Sequence, residues 1–462
     1  MSQLTELDSP LLSAVKLEHR WRIALSDYIL TATQDPLTGL LAVGTADGTI
    51  ALYDSNGTSQ GISVGHRLGV HSLAFEPRQG RSLLSVGMEG EVCLWDSTVR
   101  EPRASLRELL GRGRVQHAHW APFGPLLAVA TQREVSQMRG TDGALSLTLL
   151  AFPETVAGLA WSHQGQTFAV ATRGTLSFWH ADGCRCFEIP IQGSVRAIFW
   201  SPCNRRIVLV DGGNKLHLVE LFFGCHGVIQ DAIVLPLVGY GYPVKQLRWG
   251  QGGACLATAD RQDLGVWHLP TPPTGSRAAI DSSLLIEHTG SVEALAWIGP
   301  LLASGDTQGS LRIWSPSCHS RALARLTLTE AITCLLEVRT PQGSGLLVGG
   351  ASGGLSFFLG ACMSASPLYA LRCRSCQQTF FLTQSATRAL PCPTCGSTKS
   401  VGRVRLSLLS AQKLLHREVP SDIEGPIEPV ACPFCNGYHG QGLEDLEAKL
   451  KDPRLLQRPL PL

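Results

Sequence analysis

The stretch "GDTQGSLRIWS", residues 305–315, decides the fold. A polar turn closed by glycine leads into alternating residues that end on tryptophan, which reads as a tight turn feeding a short strand. The same piece recurs along the chain: "GTADGTIALYD" (44–54), "GMEGEVCLWD" (87–96), "TQREVSQMRG" (131–140), "TRGTLSFWHA" (172–181), "VDGGNKLHLVE" (210–220), "TADRQDLGVWH" (258–268) and "GASGGLSFFLG" (350–360). The strand ends on Tyr53, Trp95, Gln137, Trp179, Val219, Trp267, Trp314 and Phe358, in steps of 40 to 48 residues. Self-similarity at such a period points to a repeat architecture.

A second landmark keeps the same period. Each unit opens with an apolar strand: "VHSLAFEP" (70–77), "VQHAHWAP" (115–122), "VAGLAWSH" (156–163), "VRAIFWSP" (195–202), "VKQLRWGQ" (244–251) and "VEALAWIG" (292–299). These place Phe75, Trp120, Trp161, Trp200, Trp249 and Trp297 at one position of the unit. The pattern resembles the WD40 repeat over residues 17–362. The best matches are "YDS" (53–55), "LWDS" (94–97) and "EHTGSVEALAW" (287–297). The resemblance implies an all-β fold, a WD40-like β-propeller of four-stranded blades around a central channel. It also implies that His66 and His288 tie a blade to its tryptophan. The pattern departs at several places: the acid of the Trp-Asp pair is His180, Glu220, His268 or Ser315, and the turn acid Asp47 becomes Glu89 and Gln308.

Eight units imply eight blades, with seven as the alternative count. The last unit, opening at "AITCLLEV" (331–338), has no outer strand of its own. The alternating segment "KLEHRWRIAL" (16–25) is expected to supply it and so close the ring. The tryptophans then read as blade core.

The composition suits this architecture. Of 462 residues 48 are glycine and only 16% are charged, as in chains of short strands joined by tight turns. The net charge of +2 favours no class of partner. No run of eighteen apolar residues occurs, so no membrane partner is expected. The opening residues lack a basic stretch followed by an apolar core, which makes the cytoplasm the expected compartment.

The chain changes character after the repeats. Six of the fifteen cysteines form Cys-x-x-Cys pairs at 373/376, 392/395 and 432/435. A Cys-x-x-Cys turn sets two thiolates around one ion, and two such turns complete a closed tetrahedral zinc site. "LRCRSCQQTFF…LPCPTCGS" resembles a zinc ribbon, with Cys373, Cys376, Cys392 and Cys395 as structural ligands of one Zn2+. The third pair lies in "CPFCNGYHG", and Cys432, Cys435 and His439, with His416 as fourth ligand, form a candidate second zinc site. The domain plan is a tail (1–15), the propeller (16–365), the ribbon (366–417), an acidic Pro-rich linker (418–430) and a second knuckle with a short helix and tail (431–462).

Residues 369–417 carry eight Arg or Lys and no Asp or Glu. Arg372, Arg374, Arg388, Lys399, Arg403 and Arg405 are the candidate partner-binding residues there. Such a face suits an acidic protein surface or nucleic-acid phosphates.

Catalysis finds little support. "GDTQGS" and "GGASGG" lack the Lys-Ser/Thr of a phosphate loop, and no His-Glu-x-x-His occurs. "CPFC" resembles a glutaredoxin pair, but Gly437 and Gly440 break the helix that would activate its thiol. His117 and His119 share one strand face, as packing residues or as a shared metal site. The expected function is a non-catalytic protein–protein interaction scaffold within a multi-protein complex, with the zinc module as an appended dock. No small-molecule substrate is inferred. A nucleic-acid-binding adaptor is the first alternative; a redox or hydrolytic enzyme is the second.

Overall fold

The computed structural model describes residues 15–77, 82–96, 102–105, 115–122, 126–139, 146–213, 215–224, 228–237, 244–270, 273, 275, 280–299, 301–315, 322–362, 369–373, 379–382 and 401–403. Residues 15–362 form eight four-stranded antiparallel sheets, the blades of a closed ring. Blades 1 to 7 are each built from four consecutive strands and span residues 29–64, 70–105, 117–151, 158–190, 195–237, 246–286 and 292–327. Eight blades, not seven, is therefore the count.

Blade 8 is built differently. Ile332–Thr340, Gly343–Gly350 and Gly354–Cys362 supply three strands, and Val15–Ala24 is the fourth. It runs antiparallel to the third, with Val15 opposite Cys362 and Ala24 opposite Gly354. The ring is thus closed by strands more than three hundred residues apart in sequence. A blade left with three strands would expose an unpaired edge and lose the apolar cover that Trp21 and Ile23 give to Phe357 and Leu359.

The burial patterns follow from this packing. A blade is covered on both faces by its neighbours, so its middle strands read as continuous apolar runs rather than alternating ones. Leu41–Thr45, Leu126–Ala130 and Cys255–Ala259 are buried at every position. The outermost strand is half wet, as in Ser59–Val64, where exposed and partly buried residues alternate over much of its length. The core is accordingly distributed between blades. Leu84, Val86 and Val92 of blade 2 pack on Ala118, Leu127, Val129 and Met138 of blade 3. Blade 3 is the least recognisable repeat in sequence, yet it forms a regular sheet with Gln137 buried where six other blades carry an aromatic and blade 5 carries Val219.

First strands meet at the hub, where blade 1 packs on blade 2 and blade 8 on blade 1. The turn between second and third strands lies against the chain leaving for the next blade. Gly309 has φ of 80°, and a Cβ there would fall 2.4 Å from the carbonyl oxygen of Leu328, so only glycine fits. The Leu328 N–H in turn donates to the Gly309 carbonyl at 2.8 Å. These turns and connections make up one face of the ring, the turn face.

Candidate interaction surfaces

Two hydrogen-bond systems hold the surfaces in place. The first runs around the hub. The innermost strand of a blade has one edge with no partner strand, so its carbonyls need acceptor duty elsewhere. A buried indole N–H likewise needs an acceptor. The fold joins the two needs. Trp120 donates to the carbonyl of Ala74, Trp161 to His119, Trp200 to Ala160, Trp249 to Phe199 and Trp297 to Arg248, at 3.0–3.2 Å. Each bond crosses from one blade to the one before it. The tryptophans are core residues, and they also couple neighbouring blades.

The second system lies under the turn face. In blade 7, Trp314 donates to Ser304 Oγ at 2.7 Å, Ser304 meets His288 Nε2 at 2.6 Å, and His288 Nδ1 meets Asp306 at 2.9 Å. All four side chains are buried. Burial holds His288 below its ordinary value, against the pull of Asp306. Burial would raise Asp306, but hydrogen bonds from His288 and from the Ser310 and Gln308 N–H groups outweigh it and lower the carboxyl. The ring is therefore neutral, with Nδ1–H donating to the carboxylate and Nε2 accepting from Ser304. Blade 2 repeats the relay with Trp95, Ser85, His66 and Glu89.

Gln308 stands at the turn position where blades 1 and 2 carry Asp47 and Glu89, and blade 7 still has a carboxylate in its relay. The carboxylate comes from Asp306, two residues earlier, while Gln308 Oε1 accepts from Thr289 Oγ1 at 2.7 Å. Two turn positions reach the same space, so the sequence position alone does not identify the acid. In blade 1, Asp47 accepts from Ser26 Oγ and Thr45 Oγ1, both at 2.6 Å, and from the Thr49 N–H at 3.0 Å.

With the turns fixed, the turn face over blades 1 and 2 carries exposed apolar side chains: Tyr28, Leu68 and Met88, with Leu68 at 54%. They are neighbours through the backbone. The Tyr28 carbonyl accepts from Ala46 N at 2.9 Å, and the Gly69 carbonyl accepts from Met88 N at 2.8 Å. Leu30 sits against Gly69, where an added Cβ would lie 2.7 Å from its methyl. The patch adjoins the hub: burial and the nearby Glu293 carboxylate of blade 7 both raise the Tyr28 hydroxyl. Across that mouth, Lys245 Nζ pairs with Glu293 at 2.7 Å and reaches Ser291 Oγ at 3.2 Å. Sequence reading did not single out this patch, because Leu68 and Met88 lie in turns and carry no periodic signal.

His117 and His119 do share a strand face, their rings stacked with centroids 6.4 Å apart. His117 Nε2 meets the carbonyl of Ala157 in blade 4 at 3.1 Å, a packing role. Among the described residues no group of three or more His, Cys, Asp or Glu could hold a metal ion.

The expected zinc and basic residues fall mostly outside the described residues. That is so for Cys376, Cys392, Cys395, His416, Cys432, Cys435, His439, Arg374, Arg388, Lys399 and Arg405. Backbone strands Tyr369–Cys373, Thr379–Leu382 and Val401–Arg403 are described, and they place Arg372, Cys373 and Arg403 in a three-stranded antiparallel sheet with Tyr369–Cys373 at its centre.

No family model matches the chain. A curated relative, Activating molecule in BECN1-regulated autophagy protein 1A of Danio rerio, is 27% identical over 117 residues, which are 25% of this chain and 9% of that protein. The chain thus spans less than a tenth of that relative's length. Among solved structures, the Cps50 (Swd1) β-propeller domain of Myceliophteria thermophila superposes with a TM-score of 0.50 at 16% identity, over 64% of this chain and 99% of that domain. The computationally designed Ika8 protein gives 0.52 at 16% identity, over 72% of this chain and 97% of its own. At such identity these likenesses speak for the fold, and the chain is a β-propeller of eight blades.

Proposed function

We propose that this protein is a non-catalytic interaction scaffold whose turn face over blades 1 and 2 docks a protein partner. The observation that carries the reading is the apolar group Tyr28, Leu68 and Met88, exposed on a face otherwise fixed by buried hydrogen-bond relays. Apolar side chains gathered on rigid turns are what a protein interface needs at its centre. The relative from Danio rerio bears a name that places it in BECN1-regulated autophagy.

The C-terminal part serves as a second dock. Cys373, Cys376, Cys392 and Cys395 hold a structural zinc, and Cys432, Cys435, His439 and His416 hold a second. Four thiolates in two Cys-x-x-Cys turns fit zinc and leave no open position for catalysis. Support comes from the antiparallel pairing of Tyr369–Cys373, which ends on the first cysteine, with Thr379–Leu382, with Arg372 opposite Thr379. The basic side chains of this module favour an acidic protein client.

The test is a paired purification of the tagged full chain and its Leu68→Asp, Met88→Asp double variant from the native host. Proteins recovered with the parent and lost with the variant, at unchanged melting temperature, support the reading. Identical recoveries overturn it.

A further inference from the structure

The outer strand of blade 1, Ser59–Val64, ends its sheet, and among the described residues no strand pairs with its far edge. Gly65 N donates to the Gly48 carbonyl at 3.0 Å, so Gly65 faces the neighbouring strand. By the alternation of an antiparallel pair, Val64 and Ile62 then turn their backbone N–H and C=O groups away from the sheet. Their side chains are exposed as well, Ile62 at 60% and Val64 at 77%. An exposed apolar edge of this kind is a template for another strand.

Most outer edges of the ring are guarded. The outer strands of blades 2, 4, 5, 6, 7 and 8 carry charged residues, among them Arg103, Glu188, Asp231, Asp281, Arg325 and Glu18. Charges on an edge oppose strand addition. The blade 1 strand, SQGISV, has neither charge nor proline. That of blade 3, Ser146–Ala151, is also neutral and exposes Leu149.

The two faces of the blade 1 strand differ. Ile62 lies opposite Ala51, which packs toward blade 8. Gly61 and Ser63 lie opposite Leu52 and Ile50, which pack toward blade 2. There Gly61, having no side chain, borders a small apolar slot lined by Leu52, Leu83 and Trp95. A strand added at the edge sets the residue opposite Gly61 over this slot and its chain neighbour beside Ile62.

We propose that this edge docks an extended, uncharged segment of a partner protein, with β-branched residues at successive positions, as a fifth strand of blade 1. Backbone bonds to Ile62 and Val64 supply the affinity; the slot and the two exposed side chains select the sequence. The neutral strand offers no counter-charge to an ionised residue, which disfavours charged segments. The fold already uses strand addition, since Val15–Ala24 completes blade 8 from the other end of the repeats. A second copy of the chain is the poorer occupant. Six paired residues make about 20 Å of strand and fall short of the roughly 1,200 Å² of a stable interface. The site lies on the rim and does not rest on the turn-face patch.

The test is retention of synthetic octapeptides on the immobilised full chain, from a pool built of valine, isoleucine, threonine and serine, read by mass spectrometry. The parent should retain a defined subset. Ile62→Lys and Val64→Lys should each weaken the best peptide about tenfold or more. Leu149→Lys, and the double variant Leu68→Asp with Met88→Asp, should change nothing. Methylating one alternate set of the peptide's backbone nitrogens should abolish binding, and methylating the other should spare it. Thermal melts check that each variant folds. No retained peptide overturns the proposal. So does equal binding of the two methylated forms, which marks apolar adhesion. Loss in the Leu149 variant or in the turn-face variant moves the site and overturns it as well. A dimer of the parent that Ile62→Lys splits assigns the edge to a second copy and also overturns it.

Discussion

Gln34 clasps the backbone of Arg339: its Nε2 donates to the Arg339 carbonyl and its Oε1 accepts from the Arg339 N–H, both at 2.8 Å. The two residues are 305 positions apart and join blade 1 to blade 8. Gln34 occupies the position at which blades 3 to 7 carry the tryptophan of the hub ladder. At the seam an amide replaces the indole and makes two bonds instead of one. Gln34→Ala should lower unfolding free energy by about 1–2 kcal/mol, and Gln34→Glu, which keeps the acceptor but not the donor, by about half as much. Urea unfolding followed by tryptophan fluorescence measures both. No change in either variant would mean the seam is held by the strand Val15–Ala24 alone.

The buried pair of Arg206 and Glu220 gives a second prediction. Arg206 Nε meets Glu220 Oε1 at 2.8 Å, both side chains are 1% exposed, and Glu220 Oε2 also accepts from the Gly275 N–H at 2.6 Å. Arg206 further donates to the carbonyl of Pro270, so the pair pins the final loop of blade 6 onto blade 5. Glu220→Gln leaves a buried cation without its counter-charge and should cost about 3–5 kcal/mol. Replacing both residues, as Arg206→Met with Glu220→Leu, should recover most of that loss. Denaturant midpoints of the two variants decide it.

Acid should weaken the propeller before the lowered carboxyls of Asp306 and Glu89 titrate. Burial holds His66, His117 and His288 below their ordinary 6.5. A histidine lowered in the folded state binds its proton more readily when unfolded. Its stability is therefore fully present above 6.5 and is lost as pH falls through the folded value. Asp306 and Glu89, also lowered, add a further loss below their ordinary 3.8 and 4.5. Glu337, raised by burial, works the other way but over a lower window, from 4.5 upward. Melting temperature should be level between pH 8 and 7 and fall steadily toward about pH 4. His288→Gln, which can keep both hydrogen bonds without titrating, should make the fall shallower.

How much of this was legible in sequence depends on where each partner sits. The blade period was legible because six of the eight units carry an aromatic at the same place: Tyr53, Trp95, Trp179, Trp267, Trp314 and Phe358. His66 and His288 were legible as blade ties through the resemblance, and their relays are present. The hub ladder was not, because each indole bonds a backbone carbonyl 40 to 50 residues away, and a carbonyl carries no residue signal. Asp306 was not singled out because the position of the turn acid is held by Gln308, and a carboxylate two residues earlier in the same turn reaches His288 instead. The apolar patch was missed because Tyr28, Leu68 and Met88 come together only when blades 1 and 2 pack. The cysteine module rests on spacing, and most of its residues lie outside the described ones.

Zinc should be measurable directly. Elemental analysis of the purified chain should give one zinc for the ribbon and a second for the knuckle. Cys373→Ser should remove the first alone, and Cys432→Ser the second alone. A strong chelator should expose residues 366–417 to protease while the propeller stays intact. A chain free of zinc after purification without chelator would end the ribbon assignment.

The most direct test of the scaffold reading is purification of the tagged chain from its own host, with and without nuclease, followed by identification of what accompanies it. A defined set of proteins that survives nuclease is the result expected. Nucleic acid in the eluate, with partners lost on digestion, would contradict it and make the basic C-terminal module the reader of that nucleic acid.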